Sequence, residues 1–347
     1  MNFDKRGIKV FIDPRSAINY SSFYIKGLYD YFGKKNVHFS TKYFNELKEI
    51  DMLMAFVLVE NDRITKFIID YRDQSDLIID AYRWTDVYAK INLNRNTLFL
   101  PQNETDKIVS IPPSFAIKVW NPVELLFHLS CNFFKAGIIR HRNDKNIHLR
   151  PSRWIRYYLS LLKRQKLERY ENAGDKEVPG YVFSISTYWS GHKDLNYFRS
   201  GYILSCYEDS EIDFHGGFFV DGDMSVSKEI PEELIYHRYI PNSEYLENIK
   251  KSIFVFNTPA VWNCHGWKLG EFLCMGKAII STPLINELPA PLEHKKNIFL
   301  IDKKEDIHSA IHFLLKDEEL RQSLKKNARI YYEQFAAPQK VIERIVN

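Results

Sequence analysis

The sequence predicts an α/β fold in two units, and three observations carry that expectation. Short apolar runs of strand length alternate with helix-period segments along the chain. A polar stretch bearing Gly and Pro, ENAGDKEVPG at 171–180, interrupts the alternation near the middle. The 347 residues exceed one ordinary core and suit two domains of moderate size.

The first half opens with a strand, IKVFID (8–13), then a loop and a helix over 22–32. Apolar runs recur at 52–59, 67–70 and 77–80, followed by VYAKINLN (87–94) and IVSIPPSF (108–115). PSRWIRYYLSLLKRQKLERY (151–170) reads as a basic amphipathic helix that leads into the polar break. The second half starts again with a strand at 181–186 and a helix at 194–209. Strands at 212–220, 252–258 and 297–302 continue the series, and two polar helices (306–335) close it. Strand–helix alternation implies parallel sheets with right-handed crossovers, with ligands at the carboxyl ends of the strands. The expected boundaries are 1–170 for an N-terminal domain, 171–180 for a linker and 181–330 for a C-terminal domain. Residues 331–347 are expected as a last helix packing back toward the first domain.

Composition excludes several classes. Hydrophobic content of 45% and charged content of 27% are those of a soluble globular protein. Cys131, Cys206, Cys264 and Cys274 form no Cys-x-x-Cys pair, which argues against a zinc knuckle or disulfide framework and fits a reducing compartment. The N-terminus enters a strand at once, so no signal peptide is expected, and no apolar run reaches the roughly 18 residues of a membrane span. The expected location is therefore cytoplasmic. The net charge of +4 hides an asymmetry: residues 1–177 hold 29 basic and 21 acidic side chains, residues 178–347 hold 19 and 23. Ten Lys or Arg meet two acids between Arg140 and Tyr170. Such a face seeks an anionic partner. No recognised nucleic-acid module accompanies it.

The stretch WNCHGWKLGEFLCMGKAIIST (262–282) is the most informative. A loop delivers Gly266 to a helix start, Gly276 ends the helix, and an apolar strand follows. Helix N-terminal amides of this kind bind anions. Lys268 in the first turn opposes the helix dipole, which suits a bound anion better than it suits stability. Glu271, about one turn on, can accept hydrogen bonds from a vicinal diol such as a ribose.

This pattern resembles the C-terminal domain of GT-B glycosyltransferases, especially the retaining group with a Glu-x7-Glu motif. The matching places are Asn263, Gly266, Glu271 and FLCMGKAIIST, with Asn263 standing where the group carries its first glutamate. LINELPAPL, NIFLID and the helices of 306–335 extend the likeness, which covers about 178–345. The resemblance implies two Rossmann-like domains facing each other across a cleft. It implies transfer of a sugar from a nucleotide-sugar donor to a glycan or lipid-linked acceptor, in bacterial surface polysaccharide synthesis. Glu271 would bind the donor ribose, and Asn263, His265, Gly266 and Lys268 would face diphosphate or sugar. No bound metal would be required, because protein cations and a helix dipole offset the leaving diphosphate. Arg199 and Lys193 follow the first strand of the second half, where the family often reaches the donor phosphates, and Tyr239 lies in the segment that runs under the base.

Other features point elsewhere. FFVDGD places Asp221 and Asp223 one residue apart after an apolar run, the metal motif of GT-A transferases, although Asp-Gly is also turn chemistry. Loss of the first glutamate allows a third reading, a non-catalytic nucleotide-sugar-binding protein. Asp13, Asp70 and Asp80 end apolar runs in the first half, and Asp13 is singled out as a general base for the acceptor hydroxyl. Arg153, Trp154, Arg156, Lys163 and Arg164 are expected to form a membrane or acceptor surface, on the inner face of the membrane. The alternative for that helix is packing of its apolar stripe on the core.

Overall fold

The structure, a computed structural model, describes residues 7–98, 105–139, 150–172, 176–220 and 230–347. The chain divides into two compact units. Unit one comprises 1–167, 286–289 and 335–347; unit two comprises 168–285 and 290–334.

Unit one is organised by a six-stranded sheet in the order β2-β1-β3-β4-β5-β6. Its strands are β1 (Lys9–Ile12), β2 (Val37–Phe39), β3 (Leu53–Glu60), β4 (Arg63–Asp70), β5 (Val87–Lys90) and β6 (Ile108–Ser110). The β1–β2, β4–β5 and β5–β6 pairs are parallel, but β3 runs antiparallel to both β1 and β4. The expected all-parallel pattern fails here for a local reason. Only Asn61 and Asp62 separate β3 from β4, too few for a crossover helix, and Asn61 takes the left-handed conformation (φ 54°) that a two-residue hairpin demands.

The helices of this unit are α1 (Ile18–Phe32), α2 (Ile79–Trp84), α3 (Pro122–Ile138) and α4 (Pro151–Ser160); α5 (Leu167–Glu171) marks the passage to unit two. The 77–80 run opens α2 instead of forming a strand. Asn121 and Glu124 form a reciprocal capping box at the start of α3, with Pro122 at the first helical position. The sheet face buries Leu53, Ala55, Val57, Ile68 and Tyr88 with Phe44.

Among its described residues, unit two holds six strands: β7 (Tyr181–Thr187), β8 (Asp213–Phe219), β9 (Ile235–Tyr236), β10 (Val255–Asn257), β11 (Ile279–Ser281) and β12 (Phe299–Leu300). They form two parallel three-stranded sheets, β7-β8-β9 and β10-β11-β12. The sheets abut where Ile253 N donates to Tyr181 O at 3.0 Å. Read across, the order is β9-β8-β7-β10-β11-β12, that is 3-2-1-4-5-6, the doubly wound order of a Rossmann-like domain. The helices of its described residues are α6 (Lys193–Glu208), α7 (Asn242–Lys251), α8 (Trp267–Met275), α9 (Asp306–Lys316) and α10 (Glu318–Tyr331). The last helix, α11 (Pro338–Val346), belongs to unit one and packs on α1. There a Cβ on Gly27 would lie 2.3 Å from the Pro338 carbonyl oxygen, so the two helices meet backbone to backbone. No helix among the described residues is long and apolar enough to cross a membrane.

Candidate functional site

In a doubly wound sheet the crevice lies where strand order reverses, outside the carboxyl ends of the strands. In unit two that place is between β7 and β10, and it holds a pocket of about 160 Å³. Ser186 and Thr187 come from the end of β7, Asn257 and Thr258 from the end of β10, Arg199 from α6, and Gly266 with Lys268 from the start of α8.

Local structure explains how these parts converge. Gly266 is the N-cap of α8 and supplies no side chain to satisfy the helix amides. Its φ of −75° is ordinary, and a Cβ added there would meet nothing within 4 Å. Neither backbone strain nor packing therefore calls for glycine at this position; its effect is to leave the space before the helix open. Gly276 closes the other end in the left-handed conformation (φ 61°). The preceding loop carries Trp262 and Asn263 at φ 57° and 58°, consecutive non-glycine residues in a conformation that costs each about 1–2 kcal/mol. Strain of this kind collects at ligand sites.

The pocket brings two cations together. Arg199 Nη1 donates to Thr187 O at 2.6 Å and Nε to Thr258 Oγ1 at 3.3 Å, so the guanidinium bridges the ends of β7 and β10. Burial lowers its pKa to about 10, which leaves it charged at neutral pH. The Lys268 ammonium donates to Ile185 O. Burial, and then the neighbouring Arg199 charge, bring Lys268 down to about 7, with Glu271 opposing. Two cations that repel each other beside an uncapped helix N-terminus form a site for an anion.

The other expected donor residues are placed as follows. Glu271 lies in α8, is 5% exposed, and accepts a hydrogen bond from Tyr245 of α7 at 3.1 Å. His265 is buried at 4% exposure and is not among the pocket's lining residues. Asn263 is exposed in the strained loop. Lys193 is the exposed first residue of α6. Tyr239 is exposed, edge-on to Phe219, and also lies outside the pocket lining. Asp221 and Asp223 lie outside the described residues.

In unit one, two expectations need correction. Asp13 does not offer a free carboxylate for proton transfer. It is fully buried, and its oxygens accept from Arg15 at 2.7–3.2 Å, while Arg15 reaches on to the carbonyls of Phe44 and Leu47. The pair ties the end of β1 to the following loops. Asp70 is also fully buried; burial alone would raise its carboxyl, but Lys90 at 2.9 Å and Arg72 at 3.0 Å override that and hold it low. Asp80 is exposed in the first turn of α2.

Trp154 does not belong to an exposed surface. It is 2% exposed, donates Nε1–H to Leu129 O at 3.4 Å, and packs its ring against Phe133 and Tyr158. The apolar stripe of α4 thus packs inward, as its alternative reading held, and Arg156 and Lys163 stay exposed with Arg153 and Arg164 half-buried. Ile155, Leu159 and Leu162 remain exposed there, and α3 adds a larger exposed apolar face of Val123, Leu126, Phe127, Phe134 and Ile138, spaced for one side of the helix.

Sequence reasoning did not single out Ser186, Asn257 and Thr258 as pocket residues. The available signal was a pair of polar residues closing an apolar strand, which is common enough to pass unnoticed.

Comparison with known proteins sharpens this picture. Residues 223–331 match the family described as glycosyl transferases group 1. No curated protein matches the chain. Among solved structures, the C-terminal domain of a glycosyl transferase group 1 family protein (LpcC) from Francisella tularensis aligns at 18% identity and TM-score 0.34, over 48% of this chain and 91% of that one. Anabaena Alr3699/HepE in complex with UDP-glucose aligns at 12% identity and TM-score 0.37, over 81% and 97%. WaaG, a glycosyltransferase involved in lipopolysaccharide biosynthesis, aligns at 13% identity and TM-score 0.35, over 78% and 82%. The matched residues 223–331 supply the β10 end, the strained loop and the start of α8, and their likeness is to the enzyme class that the resemblance implied.

Proposed function

We propose that the chain moves a sugar from a nucleotide-sugar donor to a hydroxyl of a glycan or lipid-linked glycan, in the synthesis of a bacterial surface polysaccharide. The observation that carries this reading is the pairing of Lys268 and Arg199 before the open, uncapped start of α8 at the switch point of unit two. The donor diphosphate sits there, and as the glycosidic bond breaks its added charge is met by both cations and the helix N-terminus. No metal is needed for that step. Glu271 accepts from the donor ribose once Tyr245 yields, Asn263 lies beside the sugar, and unit one receives the acceptor. With Asp13 fastened to Arg15, the general base is left to another group or to the acceptor's own surroundings.

A thermal-shift screen over nucleotides and nucleotide sugars tests donor binding and names the base. Turnover of the best donor with EDTA present removes the metal-dependent reading through Asp221 and Asp223. Binding without turnover on any acceptor favours the non-catalytic reading. Absence of stabilisation by every nucleotide overturns the proposal.

A second reading concerns location. The exposed apolar face of α3 adjoins α4 in the same unit, and residues 150–166 hold six Lys or Arg and no acid. Apolar side chains rimmed by cations complement an anionic bilayer surface. We infer that unit one docks on anionic lipid through α3, with Arg156 and Lys163 among the cations. Phe127→Glu with Phe134→Glu should abolish sedimentation with phosphatidylglycerol vesicles. If these changes instead abolish self-association and leave vesicle binding intact, the face joins two copies of the chain and the lipid reading falls.

A further inference from the structure

Away from the donor pocket, the C-terminal end of α6 faces α9 in unit two. Asp209 is the residue that follows α6, and its side chain is 2% exposed. One carboxylate oxygen accepts from the Glu211 backbone N–H at 2.9 Å, which fixes the group's orientation. The other oxygen lies 3.1 Å from His312 Nε2. His308 precedes His312 by one helical turn on the same face of α9, and their rings stand 4.4 Å apart, edge to face at 83°. One ligand atom from each of Asp209, His308 and His312 lies within 4.8 Å of the other two.

We propose that Asp209, His308 and His312 form a binding site for a divalent transition metal of the zinc type, which fastens the end of α6 to α9. The donor set decides the class of ion. Two imidazoles and one carboxylate suit zinc, cobalt or nickel, whereas magnesium and calcium take oxygen ligands. The geometry decides the arrangement. Four-coordinate zinc holds N and O ligands at about 2.0–2.2 Å, which places neighbouring ligand atoms about 3.3 Å apart. Asp209 and His312 already have that separation, and exposed His308 closes the remainder by a change of rotamer. The Glu211 amide supplies the outer-shell bond that ligating carboxylates use. A fourth position opens toward a depression lined by His308, His312, Asp317 and Glu318, where water or a carboxylate can complete the shell.

A simple ion pair of His312 with Asp209 explains one contact, but it gives no reason for His308 to stand beside them. The site's consequence lies in α6. That helix carries Arg199 into the pocket, so a clip at its end restrains the element that places the cation. This role is structural and independent of the chemistry proposed for the donor pocket.

The test uses the full chain, stripped with EDTA and dialysed. Cobalt(II) titration should give the visible absorption of four-coordinate cobalt, saturating at a single equivalent. Zinc(II) should raise Tm in proportion to the logarithm of its concentration. His308→Gln and His312→Gln should abolish both signals. His237→Gln, at an exposed histidine in the loop after β9, should keep them, a necessary control in a chain with 11 histidines. Far-ultraviolet circular dichroism confirms that each variant folds, and exposed His308 is the safer of the two. The inference is overturned by an absent cobalt spectrum, by signals that survive His308→Gln, or by an equal Tm rise with magnesium. None of these readouts involves a nucleotide, so failure here leaves the donor reading standing, and the converse also holds.

Discussion

Lys268 is a titratable switch on the proposed donor site, and its behaviour can be worked out in advance. Burial and the Arg199 charge bring its pKa to about 7 against the pull of Glu271. A diphosphate placed before α8 favours the ammonium and raises that pKa again. In the free protein the charged form is about one half at pH 7 and about one part in a hundred at pH 9. If the charged form is the one that binds, donor affinity falls about fiftyfold over those two pH units, equivalent to about 2.3 kcal/mol. Folding runs the other way. The ordinary lysine pKa of about 10.4 is depressed in the folded state, so this group's contribution to stability is full above pH 10 and declines as pH falls toward about 7. A bound anion offsets that loss. Trp189 and Trp267 line the pocket, so quenching of intrinsic fluorescence can follow binding. The ligand should be a nucleotide sugar, whose diphosphate diester does not titrate between pH 7 and 9. Lys268→Met should bind at pH 7 about as weakly as the wild type does at pH 9, with no slope. Lys268→Arg should retain affinity across the range. A wild-type affinity that is flat from pH 7 to 9, or a slope that persists in Lys268→Met, refutes the placement of the anion against this residue.

Three further outcomes follow from the same geometry. Gly266→Ala should leave Tm nearly unchanged, because a Cβ meets nothing, yet weaken donor binding by filling the space before α8; equal affinity would detach Gly266 from the site. Glu271→Ala should weaken binding by about 1–3 kcal/mol in calorimetry, while Tyr245→Phe should cost about 1 kcal/mol of stability in urea and leave binding little changed. Trp154→Ala should destabilise unit one by about 3–5 kcal/mol, and a change under 1 kcal/mol would contradict its packed position.

Much of unit two could be read in advance because most of its strands lie in short, largely apolar runs and a glycine ends α8. Gly276 ends α8 as expected, in the left-handed conformation, and the strands fall in parallel order. Unit one was less legible. An apolar run does not state its direction, and the reversal of β3 depended on two turn residues that look unremarkable. Helix α4 shows the same limit: Trp154 among arginines suits a membrane surface and a packed stripe equally well until its neighbours are known. The pocket cations were readable because Lys268 sat against a helix dipole. Asp209 and His312 were not, because they lie 103 residues apart and only the fold brings them to 3.1 Å.

The backbone contact between Gly27 and Pro338 bears on the order of assembly. Unit one begins the chain but is completed by residues 335–347, whereas unit two is drawn from residues 168–334 except for a four-residue excursion. A ribosome therefore releases everything unit two requires before it releases the last piece of unit one. Closing α1 against α11 also carries the entropy of a loop of some 300 residues, which grows only slowly with length and is met late. Unit one therefore cannot close α1 against α11 until residues that follow all of unit two in the chain have been made.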